Sequence, residues 1–151
     1  MLLYNVIRSN VTPTSASDFF TIISNATRSF GIIELDGEGA GTASAYTETG
    51  VYRISGLGTG PGGAITPAPV NPALPAAGFT VDTTYTTQPT VTTLIQTMAI
   101  NSNGQRYFWR AMPNLSNAIW SPGGATAAGT VSIRPITISG AITIRAQVGE
   151  I

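Results

Sequence analysis

The chain has 151 residues, with seven arginines balanced by seven acidic residues, and only 9% of its residues are charged. Soluble domains typically carry about 25% charged residues. The sequence contains no lysine, histidine or cysteine, which excludes catalytic triads, Schiff-base chemistry and the usual zinc, haem and iron–sulfur ligands. We therefore expect a protein that is not an enzyme and that holds no cofactor or metal.

The length predicts one domain over residues 1–151. Scattered glycine and proline leave little room for helices, and threonine, valine and isoleucine favour strands. After an extended N-terminal segment, residues 1–17, the sequence predicts eight to ten short strands in an antiparallel β-sandwich of jelly-roll type. The internal strands are predicted at residues 19–24, 29–35, 50–54, 91–100, 106–110 and 118–120, with a tight turn at 101–104.

Between residues 56 and 89 the composition shifts towards glycine and proline. We expect an ordered arm within the domain that runs over its surface, because proline-rich segments are already extended and lose little entropy when they dock. Residues 58–63 contain a formal Gly-x-Gly-x-x-Gly pattern. Pro67 and Pro69 forbid the helix that a dinucleotide-binding motif requires, so we interpret these residues as a flexible loop.

Isoleucines alternate with other residues near the C-terminus, over residues 131–148. A three-residue connection at residues 139–141 predicts a hairpin with four isoleucines on one buried face. The pairs are Ile138 opposite Ile142 and Ile136 opposite Ile144. Pro135 cannot donate to a ladder, so we place it at a bulge or a strand end.

Glu34, Asp36 and Glu38 alternate, so they share one face while the chain is extended. We interpret them as a solvated strand end, with a weak calcium site as the alternative because calcium binds carboxylate and carbonyl oxygens. A hydrolase that uses Glu34, Asp36 or Asp82 is a further alternative, although scattered acids cannot be paired from the sequence.

The strand predicted at residues 106–110 carries two arginines. Arg106, Phe108 and Arg110 share one face, and Tyr107 and Trp109 share the other. One face is expected to pack in the core while the two arginines face acids of a partner, since guanidinium groups form bidentate pairs with carboxylates. The alternative is a sugar-binding platform that uses Trp109, Trp120 or Tyr107.

The balance of charge also bears on partners. No excess of positive charge is present to bind nucleic acid. No apolar stretch approaches the roughly 18 residues of a membrane span, and the first residues do not match a signal peptide. A weakly charged, neutral surface lacks the repulsion that keeps monomers apart, so we expect a homo-oligomer.

Several segments carry a family resemblance: residues 4–13, 18–23, 62–67, 88–90 and the terminal Ile-Arg-Pro…Gly-Glu-Ile of residues 133–151. They resemble small virion proteins of tailed bacteriophages, of the jelly-roll capsid cement or decoration type. Proteins of this kind sit on a shell of HK97-fold major capsid protein and bridge its capsomers. The resemblance implies a trimer or dimer on the outer surface of a phage head, with the major capsid protein as partner and synthesis in the host cytoplasm.

The leading hypothesis is therefore a capsid cement or decoration protein that stabilises capsomer junctions through many modest contacts. The alternative is a receptor- or glycan-binding module of a phage tail fibre or adhesin. The seven arginines are the cationic groups expected to anchor a partner. Candidate contact residues are Leu2, Leu3, Tyr4, Arg8, Pro61, Ile65, Pro67, Pro69, Pro72, Arg106 and Arg110.

Overall fold

The computed structural model describes residues 1–14, 18–25, 27–111, 117–124, 126–138 and 140–151. Within these ranges the chain forms twelve strands and one short 3-10 helix, Ala127–Gly129. The strands are β1 (Leu2–Val11), β2 (Phe20–Ile23), β3 (Phe30–Gly39), β4 (Tyr46–Gly56), β5 (Thr59–Ala64), β6 (Ala68–Pro69), β7 (Thr80–Thr87), β8 (Thr90–Asn101), β9 (Arg106–Arg110), β10 (Ile119–Ser121), β11 (Thr130–Pro135) and β12 (Ile142–Glu150).

The strands form two antiparallel sheets that pack face to face. In sheet A the order is β6-β1-β12-β3, and β9 and β10 both pair with the remaining side of β3. In sheet B the order is β5-β7-β2-β11-β4-β8. The core lies between the sheets, and its largest fully buried side chains are Tyr4, Phe19, Phe20, Ile22, Phe30, Ile32, Leu35, Met98, Ile100, Ile133, Ile142 and Ile144.

The pairing order defines a jelly roll. The innermost pair is β4 with β8, followed by β3 with β9 and β10, then β2 with β11, and finally β1 with β12. These nested antiparallel pairs fall alternately in sheet B and sheet A, as in a long hairpin that has been rolled up. The predicted antiparallel β-sandwich of jelly-roll type is confirmed. It has twelve strands rather than eight to ten, because three lie in the insertion between β4 and β8 and one edge position is divided between β9 and β10.

The predicted C-terminal hairpin is wrong. β11 pairs with β2 and β4 in sheet B, whereas β12 pairs with β1 and β3 in sheet A. Ile136 and Ile138 follow the end of β11 and are 39% and 47% exposed. Ser139, in the predicted connection, lies outside the described residues. Pro135 is the last residue of β11, as expected for a residue that cannot donate to the ladder.

The expectation of a surface arm over residues 56–89 needs correction, because part of this segment belongs to sheet B. β5 and β7 form an antiparallel ribbon, and β7 also pairs with β2. Val81 and Tyr85 of β7 are buried. Residues 58–63, expected as a flexible loop, lie largely in edge strand β5, and an edge position tolerates Pro61 because no further strand needs its donor.

Candidate functional site

The outer face of sheet A brings together charged residues that are far apart in the sequence. β3 lies between β9 on one side and β12 on the other, so its outward carboxylates meet arginines from both neighbours. We call the following set the charged face: Glu34, Asp36 and Glu38 of β3, Arg106 and Arg110 of β9, and Arg145 of β12. It holds six of the fourteen charged side chains of the chain, seven arginines plus seven acids.

Asp36 is the centre of the charged face. Arg106 donates from Nε to Asp36 Oδ1 at 2.9 Å and from Nη2 to Oδ2 at 2.8 Å. Arg145 donates from Nη1 to Asp36 Oδ2 at 3.0 Å, and from both terminal nitrogens to Glu38 Oε2 at 3.1 Å. The Arg106 pair is bidentate, which fixes both the distance and the orientation of the two groups.

These contacts set the protonation of Asp36. Burial by itself would raise its pKa, but hydrogen bonds and charge from Arg106 and Arg145 outweigh burial and hold the pKa below its ordinary value. Asp36 therefore lacks the raised pKa that a general acid in glycoside hydrolysis needs. Asp82, another carboxylate of the hydrolase alternative, lies on β7 in the other sheet.

Arg110 completes the charged face. It forms an ion pair with Glu34 on β3, and its guanidinium carbon lies 5.4 Å from the centroid of the Phe108 ring. Guanidinium groups at this distance are attracted to the face of the ring. Arg106 and Arg110 were expected to face acids of a partner, and the acids that they contact belong instead to β3 of their own chain.

A depression opens on the charged face and extends across four strands, β9, β3, β12 and β1. The lining residues are Asn5, Ile7, Glu34, Asp36, Arg106, Phe108, Arg145, Ala146 and Gln147. Ile7 and Phe108 are its exposed apolar members, and Phe108 is 51% exposed. Ala146 and Gln147 were not predicted from the sequence. Arg145 was predicted only as one of the seven arginines, although its place between Ile144 and Ala146 in an alternating strand marks it as outward-facing.

All seven arginines lie in the described part of the chain, and each has an acceptor within it. Arg8 donates to the backbone carbonyls of Asp18 and Phe19, Arg28 to Glu150, Arg53 to the carbonyl of Trp120, and Arg134 to the carbonyl of Pro89 while pairing with Asp18. The other three belong to the charged face. The arginines thus join strands of their own fold, and their role as anchors for a partner stays a prediction.

A second polar cluster is buried at sheet B. Asp18 is fully buried, and its Oδ2 accepts hydrogen bonds from Thr21 at 2.7 Å and Ser132 at 2.6 Å. Arg134 Nη2 lies 2.7 Å from Asp18 Oδ1, and the Asp18 amide donates to Gln88. Burial raises the pKa of Asp18, against the opposing effect of the hydroxyls and Arg134. Because Gln88 lies in the β7–β8 connection, the cluster fastens the β5–β7 ribbon to β2 and β11.

The aromatic residues of the alternative sugar platform pack into the fold. Tyr107 and Trp109 lie against the core, and the Tyr107 hydroxyl accepts a hydrogen bond from Gln96. The Trp120 ring covers Gly31 so closely that a Cβ added at Gly31 would lie 2.6 Å from it. These residues do not line the depression, whereas Phe108 does.

The remaining predicted contact residues are spread over both sheets. Tyr4 is fully buried and donates its hydroxyl to the carbonyl of Pro75 at 3.0 Å, so it is a core residue rather than a surface contact. Pro61 and Pro72 are exposed, on β5 and in the segment after β6. The half-buried members are Leu2, Leu3, Arg8, Ile65, Pro67 and Pro69.

The three acids of β3 do share one face. An arginine is paired with each of Glu34, Asp36 and Glu38, and this positive charge opposes the binding of a cation there. Over the ranges that the structure describes, no group of three or more acidic residues is placed to hold a metal ion. Nor is any helix in those ranges long and apolar enough to cross a membrane.

No protein-family model and no curated protein matches the sequence. Among solved structures, the chain is similar to infectious bursal disease virus, Gx strain, with 14% identity and a TM-score of 0.23 over 98% of this chain and 40% of that chain. It is also similar to the VP2 subviral particle of the same virus, with 13% identity and a TM-score of 0.21 over 97% of this chain and 38% of that chain. This chain thus spans about two fifths of those chains. TM-scores this low do not indicate a shared fold. The jelly-roll assignment therefore depends on the strand order alone.

Proposed function

We propose that this protein is a non-enzymatic structural protein of a phage virion, a capsid cement or decoration protein that binds the outer surface of the head as a homo-oligomer. The observation that carries the proposal is the use of every arginine inside the chain, which leaves the rest of the surface nearly neutral. A neutral surface favours association with like subunits and with a scaffold over long-range attraction to nucleic acid. The sequence resemblance described above supplies the phage head as the place of assembly.

Exposed apolar residues in sheet B and in the segment beside it are the proposed place of such contacts. Ile136 donates its amide to the carbonyl of Glu48, which brings the segment after β11 beside β4. Tyr46 at the start of β4 is exposed, as are two consecutive residues of edge strand β8. We call this set the apolar side: Tyr46, Leu94, Ile95, Ile136 and Ile138. The buried centre of an interface is typically poor in charge and rich in such residues, so the apolar side is the surface proposed to contact the shell or a neighbouring copy.

The mechanism is multivalent. Each copy contributes a modest neutral contact at a capsomer junction, and contacts made by several linked copies add through their effective concentration. The partner would be a major capsid protein of HK97 fold. Because neither surface needs free charges, the attachment should depend little on ionic strength.

The test is to count the copies of the chain in purified particles and then to rebind the protein to stripped particles. Mass spectrometry of purified particles should find the chain at a copy number comparable to that of the capsomers. On particles stripped of it, the added protein should rebind equally well at about 0.15 M and about 1 M NaCl. The variants Leu94→Ser and Ile138→Ser should lower occupancy, whereas Phe108→Ala, an exposed apolar residue on the opposite sheet, should not.

Three results would overturn the proposal. The first is absence of the chain from purified particles, and the second is equal rebinding when the apolar side is altered. The third is a chain that stays strictly monomeric in sedimentation at high concentration. A copy number typical of tail components would instead favour the receptor- or glycan-binding alternative.

A further inference from the structure

The depression on the outer face of sheet A combines an exposed aromatic ring, unpaired carboxamides and balanced charges, and we propose that it binds a neutral saccharide. This activity goes beyond attachment to a capsid and does not depend on it. The apolar side lies on sheet B, so a copy bound through that side presents sheet A outwards.

Phe108 provides the apolar surface for a sugar ring. Arg110 lies over the ring but does not line the depression, so the ring presents another side to the depression. The C–H groups of a pyranose pack well on an aromatic ring. One row of residues runs in register across the four strands, in the order Phe108, Asp36, Arg145 and Ile7. The Asp36–Arg145 ion pair therefore lies between the two exposed apolar residues of the row. Four strands extend over about 14 Å, which is enough for more than one sugar ring.

The neighbouring row provides hydrogen-bonding groups. Asn5 pairs in register with Gln147, and Gln147 with Glu34. Both carboxamides are half-buried, and neither is hydrogen-bonded to any other side chain or backbone group of the described residues. A carboxamide offers two donors and an acceptor at fixed separations, which suits neighbouring hydroxyls of a sugar. These groups stand on strands rather than on loops, so little ordering is needed when a ligand binds.

The charges of the depression select an uncharged ligand. Two carboxylates, Glu34 and Asp36, are balanced there by two guanidinium groups, Arg106 and Arg145. Each of the four is already engaged in an ion pair. A phosphate or a carboxylate on the ligand would have to displace Asp36 from its two arginines, whereas a hydroxyl can use the lone pairs and N–H groups that the ion pairs leave open.

The experiment uses the whole chain. An array of neutral and acidic oligosaccharides identifies ligands, and the best neutral ligand is then titrated by calorimetry. Phe108→Ala and Gln147→Ala should each weaken binding by about three- to tenfold, the size of one lost stacking or hydrogen-bonding contact. Leu94→Ala, on sheet B and with 45% exposure close to that of Phe108, should bind as the parent does. Thermal melts confirm that each variant is folded.

The result expected is saturable binding of neutral saccharides that depends on Phe108 and Gln147. No saturable binding to any neutral saccharide, a preference for acidic ones, or an equal loss in Leu94→Ala would overturn the proposal. Incorporation of Phe108→Ala into particles separates this proposal from the capsid proposal. If Phe108→Ala occupies particles normally but does not bind sugar, the saccharide site is at Phe108 and the capsid contact lies elsewhere. If this variant loses both activities equally, the result contradicts a separate saccharide site.

Discussion

Replacing Asp18 by alanine should destabilise the fold strongly. The substitution removes both carboxylate oxygens from a fully buried cluster, so the hydroxyls of Thr21 and Ser132 lose their acceptor. It also removes the negative charge that faces Arg134, whose side chain is only 20% exposed. Because burial outweighs this pairing and raises the pKa of Asp18, the charge itself is not counted as stabilising at neutral pH.

The magnitude follows from the contacts that change. The two hydroxyls that donate to Oδ2 are left without an acceptor, which costs about 1 kcal/mol each. Loss of the buried side chain leaves a gap that adds about 1–2 kcal/mol. The sum is about 3–4 kcal/mol. Urea unfolding at neutral pH, followed by tryptophan fluorescence, measures it as a lower midpoint with an unchanged slope.

The matched control is Glu34→Ala on the charged face. Its partner Arg110 is largely exposed, so this substitution should cost no more than about 1 kcal/mol. Equal losses in the two variants, or a loss below about 1 kcal/mol for Asp18→Ala, would refute the reasoning. Either result would mean that the buried hydrogen bonds of Asp18 contribute no more than an ion pair at the surface.

Acid titration of the same unfolding assay should give opposite trends for two carboxylates. Burial raises the folded-state pKa of Asp18, so its contribution to stability grows as pH falls from neutral towards the ordinary value of 3.8, and the loss caused by Asp18→Ala grows with it. The folded-state pKa of Asp36 is lowered, so the loss caused by Asp36→Asn should shrink as pH falls through 3.8, and parallel trends would contradict both directions. Gly39→Ala should lower stability by about 1–3 kcal/mol in thermal melts, because the added Cβ overlaps the backbone carbonyl at the end of β8; an unchanged melting temperature would contradict this. Ile142→Ala should cost about 2–5 kcal/mol and Ile138→Ala less than about 1 kcal/mol, whereas equal costs would favour the isoleucine hairpin.

Individual strands could be predicted from the sequence, but their partners could not. The alternation in residues 142–148 correctly marks β12 as half-buried. The same local pattern placed Ile136 and Ile138 beside it, although successive strands of a jelly roll frequently lie in opposite sheets. Alternation reports that a face is buried, and it does not report which strand covers it. In the insertion, Val81 and Tyr85 alternate as β7 requires, but the surrounding glycine and proline concealed this pattern.

In the candidate site, too, the face of each residue could be predicted from the sequence but its partner could not. Alternation alone placed Glu34, Asp36 and Glu38 on one face, and it also placed Arg106 with Arg110. That the two sets face each other depends on the pairing of β3 with β9, across about 70 residues of chain. A charged residue in a strand has no local feature that tells a partner in another molecule from a partner in its own fold. The strand pattern therefore could not show that Arg106 and Arg110 pair with acids of their own fold.

The nested pairing of the strands also has a kinetic consequence. β1 and β12 are the outermost pair, and residues as distant in the chain as Leu2 and Glu150 must meet before either strand has its full set of neighbours. Closing such long loops makes folding slow, of the order of milliseconds to seconds for sandwiches of this kind. Until then, unpaired threonine- and isoleucine-rich strands are exposed on a chain whose net charge of zero gives it no repulsion from its neighbours. We therefore expect refolding yield to fall steeply with protein concentration, and synthesis in the cell to benefit from chaperones during the interval before closure.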